Sequence, residues 1–207
     1  MTRVVAPHMP QIPDPKQTDG PSPNSAASAL RTVVLGAGCF WCLDSLARRL
    51  KGVHRVRSVY TGGTAESAHY HAVCSGMTGH AEAVEITFDP EELPVGILYD
   101  VFFSSHDPTS LNRQGHDVGP QYRSAMFYDD DAERREFSDA VRGAQEAYEQ
   151  PIVTTLEPLG EVYEAEREHQ DFHTRRPEVG YCRFVIDPKV AQLRRRYAPW
   201  LRQDAAV

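Results

Sequence analysis

Two cysteines separated by two large aromatic residues form the most reactive feature of the sequence. Cys39 and Cys42 lie between an apolar stretch at residues 33–35 and a helical pattern that begins at Leu43. A thiol placed where a strand ends and a helix begins faces unpaired backbone amides and the positive end of the helix dipole, and both favour the thiolate. We therefore predict that Cys39 is an exposed nucleophile with a lowered pKa.

A second candidate is the carboxyl group of Glu82. Residues 81–88 alternate as a strand does, and Glu82 falls on the same face as Val84, Ile86 and Phe88. An apolar environment disfavours the charged form of a carboxyl group, which then stays protonated near neutral pH. The pattern predicts a general acid, and the alternative is an edge residue whose head group reaches water.

The same cysteines are compatible with other chemistries. As a C-x-x-C motif, Cys39 and Cys42 fit a thioredoxin-like redox dithiol. Cys74 and the histidines at positions 69, 71 and 80 are candidate metal ligands. No second C-x-x-C accompanies them, so we expect no metal.

The elements that must position these residues alternate between strand and helix patterns. Strands are predicted at residues 53–60, 81–88, 122–128, 152–156 and 181–186, and Cys74 is placed in a further strand. Helices are predicted at residues 43–51, 93–103, 131–150, 161–175 and 187–200. This mixture predicts an α+β two-layer sandwich with helices packed on a mixed β-sheet and a ferredoxin-like core.

Composition limits the remaining possibilities. The 207 residues are 41% hydrophobic and carry a net charge of -7, which argues against a general binder of nucleic acid or anionic membranes. Six prolines among residues 1–30 predict a disordered N-terminal extension, and we expect residues 31–207 to form a single catalytic domain. Four cysteines are too few for a disulfide scaffold, so we expect a reduced cytoplasmic setting.

Three groups of motifs resemble the peptide methionine sulfoxide reductase A family. They are the Gly-Cys-Phe-Trp run at residues 38–41, the segment from Tyr-Thr-Gly-Gly to Gly-His-Ala-Glu at residues 60–82, and the segment from His-Asp-Pro-Thr to Gln-Tyr-Arg-Ser at residues 106–124. The resemblance covers about residues 32–196. It implies an enzyme that reduces the S epimer of methionine sulfoxide, free or within oxidised proteins, with no bound cofactor.

The resemblance implies a role for each matching residue. Cys39 is similar to the family nucleophile, and Glu82 to the acid that protonates the sulfoxide oxygen. Tyr70 and Tyr122 resemble hydrogen-bond partners of that oxygen, and Asp117 a further site residue. Sequence alone allows the tyrosines to be packing residues and Asp117 to cap a turn. The two leading roles agree with the chemistry, because a thiolate that attacks a sulfoxide needs the oxygen protonated.

The aromatic residues beside the thiol are expected to bind the substrate. Phe40 and Trp41 are placed to wall an apolar pocket over the Cys39 sulfur. The resemblance implies that this pocket holds the methyl group of the sulfoxide.

The family pattern favours Cys182 as the resolving cysteine, with Cys42 as its rival. Attack on the sulfoxide leaves a sulfenic acid at Cys39, which condenses with a second thiol to a disulfide. The run Gly180-Tyr181-Cys182 resembles the family pattern for the resolving thiol, but residues 183–186 continue as a predicted strand instead of a glycine-rich tail. Cys42 is the rival because it lies three residues from the nucleophile. Thioredoxin, or dithiothreitol in vitro, is the expected external reductant.

Two positions depart from the family pattern. Asp44 stands where Glu is usual, and His116 stands where Asn or Ala is usual. Neither position has a direct chemical role in the family, although His116 adjoins Asp117.

Two rival interpretations accompany a monomeric, cytoplasmic reductase. One is a thioredoxin-like dithiol oxidoreductase that uses Cys39 and Cys42 and needs no acid at Glu82. The other is a non-enzymatic module that captures methionine sulfoxide in the aromatic pocket or binds a metal through Cys and His.

Overall fold

The fold is organised around a six-stranded mixed sheet. A computed structural model describes residues 29–203, so nearly all of the predicted N-terminal extension lies outside the described residues. The strands are β1 Arg31–Ala37, β2 Val53–Thr61, β3 Ala81–Phe88, β4 Arg113–Gln114, β5 Asp117–Val118, β6 Ser124–Tyr128, β7 Thr155–Pro158 and β8 Val162–Glu164. The helices are α1 Phe40–Ala47, α2 Tyr70–Val73, α3 Val95–Ser105, α4 Asp131–Gln145, α5 Phe172–Arg175 and α6 Asp187–Tyr197.

The strand order of the main sheet is β7-β6-β1-β3-β2-β8. The β6–β7 pair is parallel and the other four pairs are antiparallel, while β4 and β5 form a separate small hairpin. The predicted α+β class with a mixed sheet is confirmed. Because β1 and β3 are adjacent at the centre, the residues at the end of β1 and the start of β3 lie side by side.

The main core lies between this sheet and the helices. Alternation along β1 places Val33 and Leu35 in the core shared with α1, α3 and α6, whereas Val34 belongs to a smaller cluster on the other face. Helix α1 contributes Leu43 and Leu46, both almost fully buried. The start of α1 is therefore held rigidly against the sheet.

Gly38 makes the strand-to-helix turn possible. Its φ of +83° lies in the left-handed region that favours glycine. A Cβ atom at this position would also collide with the side chain of Gln114, which bonds the backbone of Asp107 at both its amide and its carbonyl. The hairpin loop thus packs directly against the turn that carries Cys39.

Three predictions of secondary structure were wrong. Residues 161–175 contain β8, a short 3-10 turn and α5 instead of one helix. The predicted strand at 181–186 is a π-helix at Cys182–Ile186 that continues into α6. Cys74 follows α2 in helical conformation and lies in no strand. Short β-branched or apolar runs fit the two-residue period of a strand and the 3.6-residue period of a helix equally well. In these segments tertiary packing decided which element formed.

No helix within the described part of the chain combines the length and apolarity that crossing a bilayer requires.

Candidate active site

Cys39 lies at the junction of β1 and α1, as the sequence predicts. It is the N-cap residue of the helix and is 8% exposed. The backbone amide of Trp41 donates a hydrogen bond to its thiol. The preceding amide, from Phe40, donates instead to Glu82 Oε2 at 3.1 Å. The helix N-terminus therefore serves two acidic groups at once.

Glu82 lies beside Cys39 on β3, on the core face that its strand phase predicts. Its side chain is 1% exposed, and the proximity of Cys39 is among the causes that lower its pKa. Burial raises the pKa of this carboxyl to about 8, assisted by the nearby charge of Asp117 and opposed by the Phe40 amide. Glu82 is accordingly a neutral acid at pH 7, which agrees with the sequence prediction.

The expected exposure and lowered pKa of Cys39 were wrong. Burial raises the pKa of the thiol well above its ordinary value, and the neighbouring Glu82 and Cys42 raise it further. Hydrogen bonds from the Trp41 amide and Tyr181 lower the pKa but do not offset burial. The resting site therefore holds two protons, one on Cys39 and one on Glu82.

Tyr70 and Tyr122 meet at Cys74. Both tyrosines hydrogen-bond the Cys74 thiol, and the charges of Cys39 and Glu82 act on both phenols. Burial is the largest cause that raises the pKa of each phenol, so each keeps its proton at neutral pH. The structure thus brings both predicted tyrosines to the thiol and the acid.

Asp117 reaches the site from the β4–β5 hairpin. Its Oδ2 accepts a hydrogen bond of 2.7 Å from the Tyr181 hydroxyl, and its charge raises the pKa of Glu82. The same hydroxyl lies 3.9 Å from the Cys42 sulfur. Tyr181 thereby connects the predicted acidic residue to both cysteines of the C-x-x-C motif.

Phe40 and Trp41 belong to an aromatic cluster but differ in exposure. Phe40 is 1% exposed and packs against Tyr60, with ring centroids 5.7 Å apart. Trp41 is half-buried and stacks on Phe172, with centroids 3.7 Å apart and planes 4° from parallel. Trp41 therefore presents an indole held by Phe172 close to Cys39 in sequence, while Phe40 packs in the interior.

A cavity of about 490 Å³ adjoins the two cysteines of the motif. Its lining includes Cys39, Cys42, Asp117, Tyr181 and Lys189. His116, one of the two departures from the family pattern, also lines this cavity. Asp44, the other departure, is buried and forms a two-point ion pair with Arg48 at 2.8 and 2.9 Å, which makes it part of the helix scaffold.

The two candidate resolving cysteines occupy different environments. Cys42 lines the cavity with Cys39 and acts on the pKa of its thiol. Cys182 is 0% exposed and is not among the residues that line this cavity. Cys42 therefore shares the cavity with Cys39, whereas Cys182 is enclosed in the core. All four cysteines of the chain are free thiols.

Sequence reasoning missed two residues that organise the site. Tyr181 was read only as part of the Gly-Tyr-Cys pattern, although it bonds Asp117. Glu166 accepts hydrogen bonds from the Tyr70 amide at 2.8 Å and the Tyr60 hydroxyl at 3.0 Å, and so fixes the start of α2. All three hydrogen bonds join residues that are about 60 or more positions apart in sequence, so no local pattern reveals them.

Comparisons with known proteins agree with this geometry. The family model described as peptide methionine sulfoxide reductase matches residues 31–200. Peptide methionine sulfoxide reductase MsrA of Pseudarthrobacter chlorophenolicus is 49% identical over 172 residues, which cover 83% of this chain and 99% of the relative. The MsrA of Deinococcus radiodurans is 43% identical over 200 residues, which cover 95% of each chain.

Solved structures show the same likeness. The reduced form of Mxr1 from Saccharomyces cerevisiae superimposes with a TM-score of 0.69 at 30% identity, over 76% of this chain and 91% of that one. Methionine sulfoxide reductase A of Corynebacterium diphtheriae gives a TM-score of 0.65 at 28% identity, over 84% and 95%. With a thiol and a neutral carboxyl brought together at the end of β1, and with these relatives, the chain belongs to the peptide methionine sulfoxide reductase A family.

Proposed function

We propose that this chain reduces the S epimer of methionine sulfoxide, free and within proteins, to methionine through Cys39. The observation that carries the proposal is the buried Glu82 carboxyl at the start of α1, where it accepts a hydrogen bond of 3.1 Å from the amide of Phe40, the residue directly after Cys39. A nucleophilic sulfur and a proton donor side by side are what a sulfoxide needs, because its oxygen is a poor leaving group until it is protonated.

The raised pKa values of both groups define the order of proton transfer. Glu82 donates its proton to the sulfoxide oxygen while the Cys39 sulfur attacks the sulfoxide sulfur. The Cys39 proton then passes to the Glu82 carboxylate. The hydroxyl group moves from the substrate sulfur to the Cys39 sulfur as the transient bond between the two sulfurs breaks, which leaves a sulfenic acid at Cys39 and releases methionine. The sulfoxide gains two electrons and Cys39 loses two, so the step balances.

Tyr70 and Tyr122 are proposed to donate hydrogen bonds to the same oxygen. Their protonated phenols lie within the electrostatic reach of Cys39 and Glu82, which supports this role. Asp117 is proposed to keep Glu82 protonated, because a second negative charge nearby disfavours the carboxylate.

Trp41 is proposed to bind the substrate methyl group together with Phe40. We expect Trp41→Ala to raise KM for a sulfoxide-containing peptide roughly tenfold, since losing about 1–2 kcal/mol of apolar contact corresponds to that factor. Trp200→Ala is the matched control, because Trp200 is the other tryptophan of the chain and lies after α6. Steady-state kinetics of both variants check the prediction, and an unchanged KM in Trp41→Ala contradicts it.

Cys42 is proposed as the resolving thiol, with Cys182 as the alternative. Positions three apart at a helix start place their side chains on one face, within the reach of a disulfide. The shared cavity of Cys39 and Cys42 supports this choice, as does the complete burial of Cys182. Attack by Cys42 on the sulfenic acid forms the disulfide and releases water, and we propose thioredoxin as the reductant that restores both thiols.

We also propose the finer domain description on the same basis. The described residues from position 31 onward form a single catalytic domain that works as a monomer in the cytoplasm. Strands β6-β1-β3-β2 with crossovers through α1 and α3 support a ferredoxin-like core, since all three neighbouring pairs are antiparallel.

The function is tested by incubating the protein separately with the S and R epimers of a methionine sulfoxide peptide and dithiothreitol. We expect methionine from the S epimer alone, and no methionine with Cys39→Ser. Turnover of the R epimer alone contradicts the proposal. Reduction of insulin disulfides without sulfoxide turnover identifies the chain as the rival dithiol oxidoreductase.

A further inference from the structure

The cavity beside Cys39 and Cys42 contains one strong positive charge. Among the described residues that line it, Lys189 is the one lysine or arginine, and Cys42 lines the same cavity. The other charged or titratable side chains that line the cavity are Cys39, Cys42, His106, Asp107, His116, Asp117 and Tyr181. His106 stays neutral, because burial lowers its pKa to about 4.

The π-helix and α6 place Lys189 at this cavity. The wider turns of Cys182–Ile186 run directly into α6, whose first residues are Asp187, Pro188 and Lys189. Val185 from the π-helix and Gln192, three residues after Lys189, line the same cavity. Lys189 therefore faces the cavity as part of a continuous helical surface rather than as a free surface side chain.

The Lys189 side chain shares the cavity with the thiol that is proposed to resolve the sulfenic acid. The Tyr181 hydroxyl, on the lining of the same cavity, lies 3.9 Å from the Cys42 sulfur. Burial raises the pKa of the Cys42 thiol, while Lys189 and Tyr181 lower it. A buried thiol becomes a nucleophile only with such a countercharge, because an unpaired thiolate in an apolar environment is strongly disfavoured.

We propose that Lys189 stabilises the Cys42 thiolate and thereby sets the rate at which the Cys39 sulfenic acid becomes a disulfide. This inference rests on the proposed function, and it concerns a step after methionine has left. The Cys42 thiolate attacks the Cys39 sulfur, a sulfur–sulfur bond forms, and the sulfur–oxygen bond breaks. The departing hydroxide takes up the proton that Cys42 lost, so the net products are the disulfide and water. No further oxidant or reductant is required.

The first test separates the two chemical steps in a single turnover without reductant. The full-length protein is mixed with excess S-epimer peptide, and methionine, the dimedone-trapped sulfenic acid and the Cys39–Cys42 disulfide are measured over time. In Lys189→Met we expect methionine formation within about twofold of the parent, and disulfide formation slower by about tenfold. Lys189→Arg restores most of the rate, because it restores the charge.

A matched control distinguishes a slower disulfide step caused by the lost charge from one caused by partial unfolding. Lys51→Met removes another lysine, one whose ammonium bonds the Pro199 carbonyl outside the cavity, and both steps should keep the parent rates. Equal disulfide formation in Lys189→Met and the parent overturns the proposal. So does a loss in Lys189→Met that Lys189→Arg fails to restore.

A second test needs no substrate and therefore stands apart from the proposed function. In a Cys39→Ser background, alkylation of Cys42 by iodoacetamide is followed by peptide mass spectrometry, with Cys74 as the internal reference. Cys74 is half-buried and bonds Tyr70 and Tyr122 rather than Lys189. We expect Lys189→Met to slow alkylation of Cys42 about tenfold and to leave Cys74 unchanged. Equal alkylation of Cys42 overturns the proposal, even in a protein that forms no methionine.

Discussion

Glu82→Gln is expected to slow the first methionine-forming turnover by about 10²- to 10⁴-fold, the usual contribution of a general acid. The amide keeps the shape of the side chain and the hydrogen bond from the Phe40 amide, but it has no acidic proton to give to the sulfoxide oxygen. Rapid-quench measurement of methionine in a single turnover checks the effect. We also expect the parent rate to fall as pH rises through about 8, where Glu82 loses its proton.

The same variant should change how stability depends on pH. The folded pKa of Glu82, about 8, lies above the ordinary carboxyl value. The stability that comes from protonating this carboxyl in the folded state is therefore complete below about pH 4.5, and it is lost as pH rises through the folded pKa. Between pH 4.5 and 7 the free energy of unfolding should therefore shift in favour of Glu82→Gln by about 3 kcal/mol. Urea unfolding of both proteins at the two pH values measures this shift.

Glu85→Gln is the control for both measurements. Glu85 lies on the same strand but points to the other face, where it pairs with Arg57 at 2.6 Å. Its loss should leave methionine formation at the parent rate. Parent-like methionine formation by Glu82→Gln contradicts the acid role, and a pH-independent stability difference contradicts the burial of a neutral carboxyl.

Cys42→Ser is expected to release one methionine per protein at the parent rate and then to lose thioredoxin-dependent turnover by about 10²-fold or more. The nucleophile and the acid remain in place, so the sulfenic acid still forms, but its nearest thiol is gone. Steady-state turnover with thioredoxin, thioredoxin reductase and NADPH checks the loss. Dithiothreitol should rescue turnover, because a small thiol can attack the sulfenic acid directly.

Cys182→Ser is the informative comparison, since it removes the other candidate. Its side chain is fully buried, so the variant should be less stable yet keep thioredoxin-dependent turnover. Disulfide mapping after one turnover distinguishes the two routes by different linked peptides. A Cys39–Cys182 link, with turnover retained in Cys42→Ser, contradicts the order proposed here. Cys74→Ser should leave the mapped disulfide unchanged.

Local patterns were enough to predict the two reacting groups. The β1–α1 junction follows from an apolar run, a glycine turn and a helical repeat, all within about 20 residues. The strand phase of residues 81–88 placed Glu82 on the core face, and its raised pKa follows from that burial. Both features depend on near neighbours, which is why the sequence reveals them.

The resolving side of the site did not follow from local patterns. A π-helix has no distinctive sequence repeat, so the sequence predicts a strand at residues 181–186 where the structure has a π-helix at Cys182–Ile186. The predicted position of Cys182 in a strand was therefore wrong. Tyr181, Asp117 and Lys189 come from three separate elements and meet only in the folded chain.

By itself the sequence determined the family, and it predicts Cys39 as the nucleophile and Glu82 as its acid. The tertiary structure alone decided the charge state of the thiol and the surroundings of Cys42. A pKa is the balance of burial against every nearby dipole and charge, and these come from residues distant in sequence. A helix N-terminus predicts a thiolate at Cys39, but packing around the helix buries that thiol and raises its pKa.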